Sequence, residues 1–188
     1  MTKLYELVHR RDTSNYQRAR WVLEKYREYT SMQRLFKVFD IACGDGTFAA
    51  MFAIKNKSAI VTAIDINLNI DPRNMVSGIK YYQSDIFEWD KIFDNRYRYD
   101  IIFCGELCEH LPDGKPEELM TAIRGRWLCK NGIFILTVPN FLIKSGGHKR
   151  IYDEKSMLEL VKNFKVLETA ALPKDDVKFH CCICKNEL

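Results

Sequence analysis

The sequence is sparing with the residues that break or cross-link a chain. Its 5 prolines and 9 glycines in 188 residues exclude a collagen-like or low-complexity protein, and no internal repeat is visible. Long apolar runs are missing too. The uncharged stretch 132–143 contains Pro139 and Asn140 and falls short of the roughly 20 residues that a membrane helix needs. Met1 is followed by Thr-Lys-Leu-Tyr-Glu rather than by an apolar signal core, so the expectation is a cytoplasmic protein with no membrane partner. A formal net charge of +4 is too small to imply nucleic acid by itself. The 7 cysteines are an odd number and read as thiols rather than a disulfide framework. Cys181 and Cys184 frame a C-x-x-C, but a strand there sends them to opposite faces and makes them structural thiols, not zinc ligands.

With 47% apolar and 29% charged residues, the chain can bury one ordinary core. Apolar runs at residues 37–42, 60–66, 79–83, 99–104 and 132–138 alternate with helix-like segments, the pattern of a parallel α/β sheet. A helix is expected after Gly46 and another over 116–128, with an ill-defined linker at 67–78 and an acidic turn at 87–91 between the strands. A helix over 153–163 precedes strands at 166–171 and 177–185, and the short turn 173–176 makes that pair antiparallel. Residues 1–34 form a helical segment packing on the domain 35–188, its helix running over 14–32 with Tyr16, Ala19, Leu23, Tyr26 and Tyr29 on the apolar side. Arg10, Arg11, Arg18, Arg20, Arg27 and Arg34 crowd this segment; a solvated face explains them first, an anionic substrate second.

Candidate ligand residues gather at strand ends. Gly44, Gly46 and Ala49 form a G-x-G-x-x-A turn after the first strand, where open α/β sheets bind ligands. Asp65 ends the second strand, 19 residues past Gly46, which suits the ribose of a nicotinamide or an adenosylmethionine cofactor. Asp85 follows the third strand and suits an adenine amine, and Asp40 is placed to orient an ammonium group. Singly, each aspartate would read as a helix cap or turn former; at successive strand ends they read together as a nucleotide site.

These pieces, VFDIACGDGTFAAMFA, VTAIDIN, YYQSDIFEW, YDIIFCGELCEHLPD and LCKNGIFILTVPN, with the closing strand pair, resemble the class I S-adenosylmethionine-dependent methyltransferases from Val38 to Lys185. The resemblance implies a single-domain, Rossmann-like α/β fold. Its seven-stranded, mostly parallel sheet would have an antiparallel last strand and helices on both faces. It further implies S-adenosylmethionine as cofactor, with Gly44 and Gly46 beneath the methionine part, Asp65 with Ile66 at the ribose, Asp85 with Ile86 at the adenine, and Asp40 and Gly105 completing the site. The match departs from the pattern at Cys43, a frequent but not universal family choice, and at Lys130-Asn131-Gly132, where the family more often has Pro-Gly-Gly.

Methyl transfer from a sulfonium needs alignment and, for a hydroxyl acceptor, a base. Glu106, Glu109 and His110 follow the fourth strand and share one face if they form a helical turn; His148 follows the fifth. His110, with Glu106 and His148, is thus the candidate catalytic group, a base near neutral pH. Glu106, Glu109, His110 and His148 also form a candidate set for Mg²⁺ or Mn²⁺. Glu-x-x-Glu-His with a distant His is similar to the metal pattern of small-RNA 3′-terminal 2′-O-methyltransferases. His148-x-Arg150-Ile151-Tyr152 is closer to bacterial methyltransferases of sugars, lipids and quinone precursors. The expectation is therefore O-methylation of a small molecule or sugar. RNA methylation, a non-catalytic cofactor-binding protein and a nicotinamide-dependent oxidoreductase stand behind it.

Overall fold

A computed structural model describes residues 14–30, 35–93, 97–142 and 147–188. The helix α1 (Ser14–Thr30) leads into β1 (Phe36–Ile41), α2 (Thr47–Lys55), β2 (Ala59–Asp65) and β3 (Ile79–Gln83). After the single-turn helix α3 (Trp89–Ile92) come β4 (Tyr99–Gly105), α4 (Lys115–Ala122), β5 (Leu128–Pro139), α5 (Glu154–Leu160), β6 (Lys165–Leu172) and β7 (Phe179–Lys185). One 7-stranded sheet has the order β3-β2-β1-β4-β5-β7-β6. β1 pairs in parallel with both β2 and β4, whereas β7 lies antiparallel between β5 and β6. β1 to β5 therefore all end on one edge, where the sequence places its glycines and acids.

Both faces of the sheet are covered, which explains the apolar runs of the central strands. Along β1, Val38 faces the core beneath α1 and α2, while Phe39 and Ile41 face the core beneath α3, α4 and α5. β4 alternates likewise, Ile101 and Phe103 on one side and Ile102 and Cys104 on the other. Phe39 anchors an aromatic cluster, stacked on Tyr99 at 4.5 Å and Trp89 at 4.9 Å between ring centroids, with Trp127 edge-on at 6.1 Å. α1 is fixed to this body by the Tyr26 hydroxyl, which donates to the Phe52 carbonyl at 3.2 Å, and by Lys25, whose Nζ lies 2.7 Å from Glu168. Cys104, Cys108, Cys181, Cys182 and Cys184 are buried, and the described cysteines are all free thiols.

Several sequence expectations shift. The expected helix over 116–128 stops at Ala122, continues as a π-type turn (Ile123–Trp127), and gives way to strand at Leu128, so β5 begins before Gly132. The carbonyls freed there are satisfied by Asn186, whose buried amide donates to those of Arg124, Leu128 and Cys129. The buried residues of α1 are Ala19, Val22, Tyr26 and Thr30; Leu23 and Tyr29 are only partly covered, and Met32 lies outside the described residues. The linker 67–78 has structure, a 3₁₀ turn (Pro72–Asn74) capped by Asp71. Asp85 is itself a cap, its carboxylate accepting from the Phe87 N–H at 3.0 Å. Phe39→Ala is expected to remove about 3–5 kcal/mol of stability through the cavity it leaves, read as a lower denaturation midpoint in urea.

Candidate functional site

The strand ends surround a cavity of about 980 Å³. Its wall includes Asp40, Gly44, Asp65, Ile66, Asp85, Ile86, Gly105, Glu106 and His110. The glycine turn is built by backbone conformation: Ala42, Gly44 and Gly46 all have positive φ. At Gly44 a Cβ would meet nothing within 4 Å, so the missing side chain leaves open space for a ligand; at Gly46 it would lie 2.9 Å from the Tyr81 hydroxyl. Gly46 thus lies behind the cavity wall, packed on β3. Asp65 ties the turn to β2: its Oδ2 accepts from Gly44 N–H at 2.9 Å and its Oδ1 from Asn67 N–H at 2.8 Å. Behind them the buried Asn74 donates through Nδ2 to the Asp45 carbonyl at 2.9 Å, pinning the 67–78 linker to the turn.

Asp40 is 1% exposed, and neither carboxylate oxygen has a well-aligned hydrogen-bond partner. Burial pushes its pKa well above the carboxylate range, with the Ala49 backbone opposing and Asp65 and Asp45 adding to the rise. Asp45, Asp65 and Asp85 line the cavity along with Lys115 and the Arg18–Glu106 pair, so acidic groups outnumber basic ones in its wall. Such a lining favours a ligand carrying positive charge.

At the far end, Glu106 leaves β4 with φ 56, a strained conformation for a residue with a Cβ. Residue 106 takes no helical conformation, so the expected helical turn linking Glu106 with Glu109 and His110 is absent. Instead its Oε1 lies 2.8 Å from Arg18 Nη1, in an ion pair whose alignment falls short of a hydrogen bond. Burial raises the Glu106 pKa, with Arg18 and His148 opposing. The Arg18 guanidinium also covers the rings of Phe179 at 4.6 Å and Phe48 at 5.6 Å. The solvated-face reading therefore fails for Arg18 but holds for the exposed Arg20 and Arg27; Arg10, Arg11 and Arg34 lie outside the described residues. Asn15, Arg18 and Ala19 line the cavity together at helical spacing, a signal the sequence already carried.

Ligand atoms of Glu109, His110 and His148 all lie within 4.8 Å of one another, so the structure brings together three of the four expected metal ligands. His110 Nε2 lies 3.7 Å from Glu109 Oε1, and the two imidazole rings meet edge to face at 4.8 Å between centroids. His148 Nδ1 lies 3.1 Å from the Phe141 carbonyl oxygen, which orients the ring. Glu109 is fully buried and neither oxygen makes a well-aligned hydrogen bond; burial, reinforced by Glu106, pushes its pKa up to about 8. His110 moves the other way, lowered first by burial and then by His148, against a bond to the Gly147 backbone. The net effect favours the neutral imidazole.

The chain matches the model of a family described as a methyltransferase domain over residues 9–167. It is 30% identical over 139 residues to a ubiquinone biosynthesis O-methyltransferase of Vibrio atlanticus, covering 70% of this chain and 47% of that protein. The chain thus spans about half the length of this curated relative. Among solved structures it is similar to 1,6-didemethyltoxoflavin-N1-methyltransferase of Burkholderia thailandensis with bound S-adenosylhomocysteine. There the TM-score is 0.71 at 16% identity, covering 89% of this chain and 77% of that one. It is also similar to the N-methyltransferase NodS of Bradyrhizobium japonicum in complex with S-adenosylhomocysteine, with a TM-score of 0.67 at 17% identity over 99% and 97% of the two chains. These two structures share its fold. No helix among the described residues is long and apolar enough to cross a membrane.

Because the folded Glu109 has a pKa of about 8, above its unfolded value, its protonated form is the one the fold tolerates. Its stability contribution is complete below the unfolded pKa and is lost as pH rises toward and through 8. With chelator present, Glu109→Gln should leave the melting temperature nearly unchanged at acid pH and raise stability by about 1–3 kcal/mol on the alkaline side. With its strand order, its glycine turn and its match over most of its length, the chain belongs to the methyltransferase-domain family, the class I S-adenosylmethionine-dependent methyltransferases.

Proposed function

We propose that this chain transfers a methyl group from S-adenosylmethionine to a hydroxyl of a small molecule or sugar, with His110 as the base. The observation that carries the reading is the continuity of one cavity from the glycine turn, past Asp65 and Asp85, to Glu106 and His110. The residues fit the cofactor. Asp65 stands at the end of β2 for the ribose hydroxyls, and Asp85 with Ile86 for the adenine. The buried, unpartnered Asp40 offers a carboxylate to a cationic ligand at the turn. Arg18, ion-paired with Glu106 in the cavity wall, is the cation within reach of the cofactor's carboxylate. When bound, the cofactor supplies an electrophilic methyl group on sulfur. The chain's own part is to align the acceptor and take its proton. The lowered pKa favours the neutral imidazole, whose unprotonated nitrogen would accept the hydroxyl proton. The curated relative is named as an O-methyltransferase, which supports oxygen as the acceptor atom.

A second reading rests on the carboxylate of Glu109, buried without a well-aligned hydrogen bond beside His110 and His148. One carboxylate and two imidazoles suit a divalent ion such as Mn²⁺ that lowers the pKa of an acceptor hydroxyl. The experiment that separates the readings is calorimetric titration with adenosylhomocysteine, before and after Mg²⁺ or Mn²⁺ and after chelation. It is followed by labelled-methyl transfer to phenols, sugars and RNA 3′ ends. Cofactor binding with metal-independent transfer to a small hydroxyl supports the first reading. A metal requirement supports the second and brings RNA 3′ ends forward as acceptors; no adenosylhomocysteine binding would defeat both. Asp65→Ala should weaken that binding by about 1–3 kcal/mol. His110→Ala should lower turnover about 10²-fold or more while cofactor affinity stays near wild type. Because the His110 pKa is lowered, wild-type turnover should hold at pH 7 and fall only at more acid pH.

A further inference from the structure

The segment after β5 is stitched to the turn after β4 at two consecutive peptide groups. The Cys108 carbonyl accepts from Arg150 Nη1 at 3.1 Å, and the Glu109 carbonyl accepts from the Lys149 backbone N–H at 2.7 Å. Those two carbonyls belong to the peptide planes on either side of Glu109, so the direction in which Glu109 and His110 leave the backbone is set from His148's own segment. Arg150 reaches further, with Nη2 2.6 Å from Asp113 Oδ1 at the end of the turn and its side chain against the hydroxyl of the buried Tyr152. The Asp113 contact is solvent-exposed and contributes little alone. The bond to the part-buried Cys108 carbonyl is charge-assisted and stronger. A planar guanidinium can serve these diverging acceptors at once, which a lysine ammonium on its flexible stem does not reproduce.

We propose that Arg150 is a positioning residue: by clamping the 108–113 turn to the 148–152 segment, it holds His110 and His148 edge to face at the acceptor end of the cavity. The proposal rests on the reading that His110 works on the acceptor. Arg150 is absent from the described lining of the cofactor cavity, so its effect is separable from cofactor binding.

The test is histidine-ring NMR on the full chain, wild type against Arg150→Ala and Arg150→Lys, with calorimetric titration of adenosylhomocysteine alongside. The wild type should show a cross-peak between the His110 and His148 rings, and both variants should lose it as the two ring signals move toward free imidazole. The His180 signal should stay in place, and adenosylhomocysteine affinity should remain within about 3-fold of wild type, less than 1 kcal/mol. If Arg150→Ala does not fold, Arg150→Lys carries the same expectation. A folded variant that keeps the cross-peak and both ring shifts while losing thermal stability would overturn the proposal and make Arg150 a structural strut. A wild type that binds no adenosylhomocysteine would defeat the methyltransferase reading alone, because ring geometry is read without cofactor.

Discussion

The bond from the Gly44 N–H to the Asp65 carboxylate, 2.9 Å long, joins the turn after β1 to the end of β2, and the site is arranged around it. It requires that β1 and β2 run parallel and end level, which their register from Phe36↔Ala59 to Ile41↔Ile64 provides. With β4 parallel on the other flank of β1, Gly105 and Glu106 open onto the same edge. Parallel pairing in turn demands crossover helices, and these bury both faces of the sheet. The aromatic cluster around Phe39 and the packing of Tyr26 on Phe52 thus serve the same geometry, because they hold the crossovers against the strands whose ends carry the chemistry.

Function sets this edge against stability. Asp40 and Glu109 are buried carboxylates without well-aligned hydrogen bonds, and Glu106 sits at a strained φ beside a half-satisfied Arg18. Each would be better tolerated as an apolar or solvent-facing residue. All three lie just past or within the carboxyl ends of β1 and β4, the edge on which the cavity opens. A sulfonium and an ammonium would relieve the acids near the turn, and an acceptor proton or a divalent ion those near His110.

Arg18 illustrates how distant parts of the chain combine. It lies on α1, pairs with the residue that follows β4, and lies against Phe48 of α2 and Phe179 of β7. α1 therefore forms a wall of the cavity as well as a cover for the core, and the segment that precedes the sheet takes part in the site.

Sequence periodicity by itself determined the alternation of strands and helices, the antiparallel closing pair, and the clustering of Asp40, Gly44, Asp65 and Asp85 at strand ends. Those features depend on local conformation and on the two-residue repeat of a strand, which short windows of sequence carry. It did not reveal that helix gives way to a π-type turn at Ile123, where Asn186, far along the chain, satisfies the freed carbonyls. Nor did it divide Glu106 from Glu109 and His110. A helical turn would have aligned all three; instead Glu106 takes a positive φ and pairs with Arg18, while Glu109 and His110 gather with His148. Tertiary structure decided these points because each depends on side chains that meet from tens of residues away.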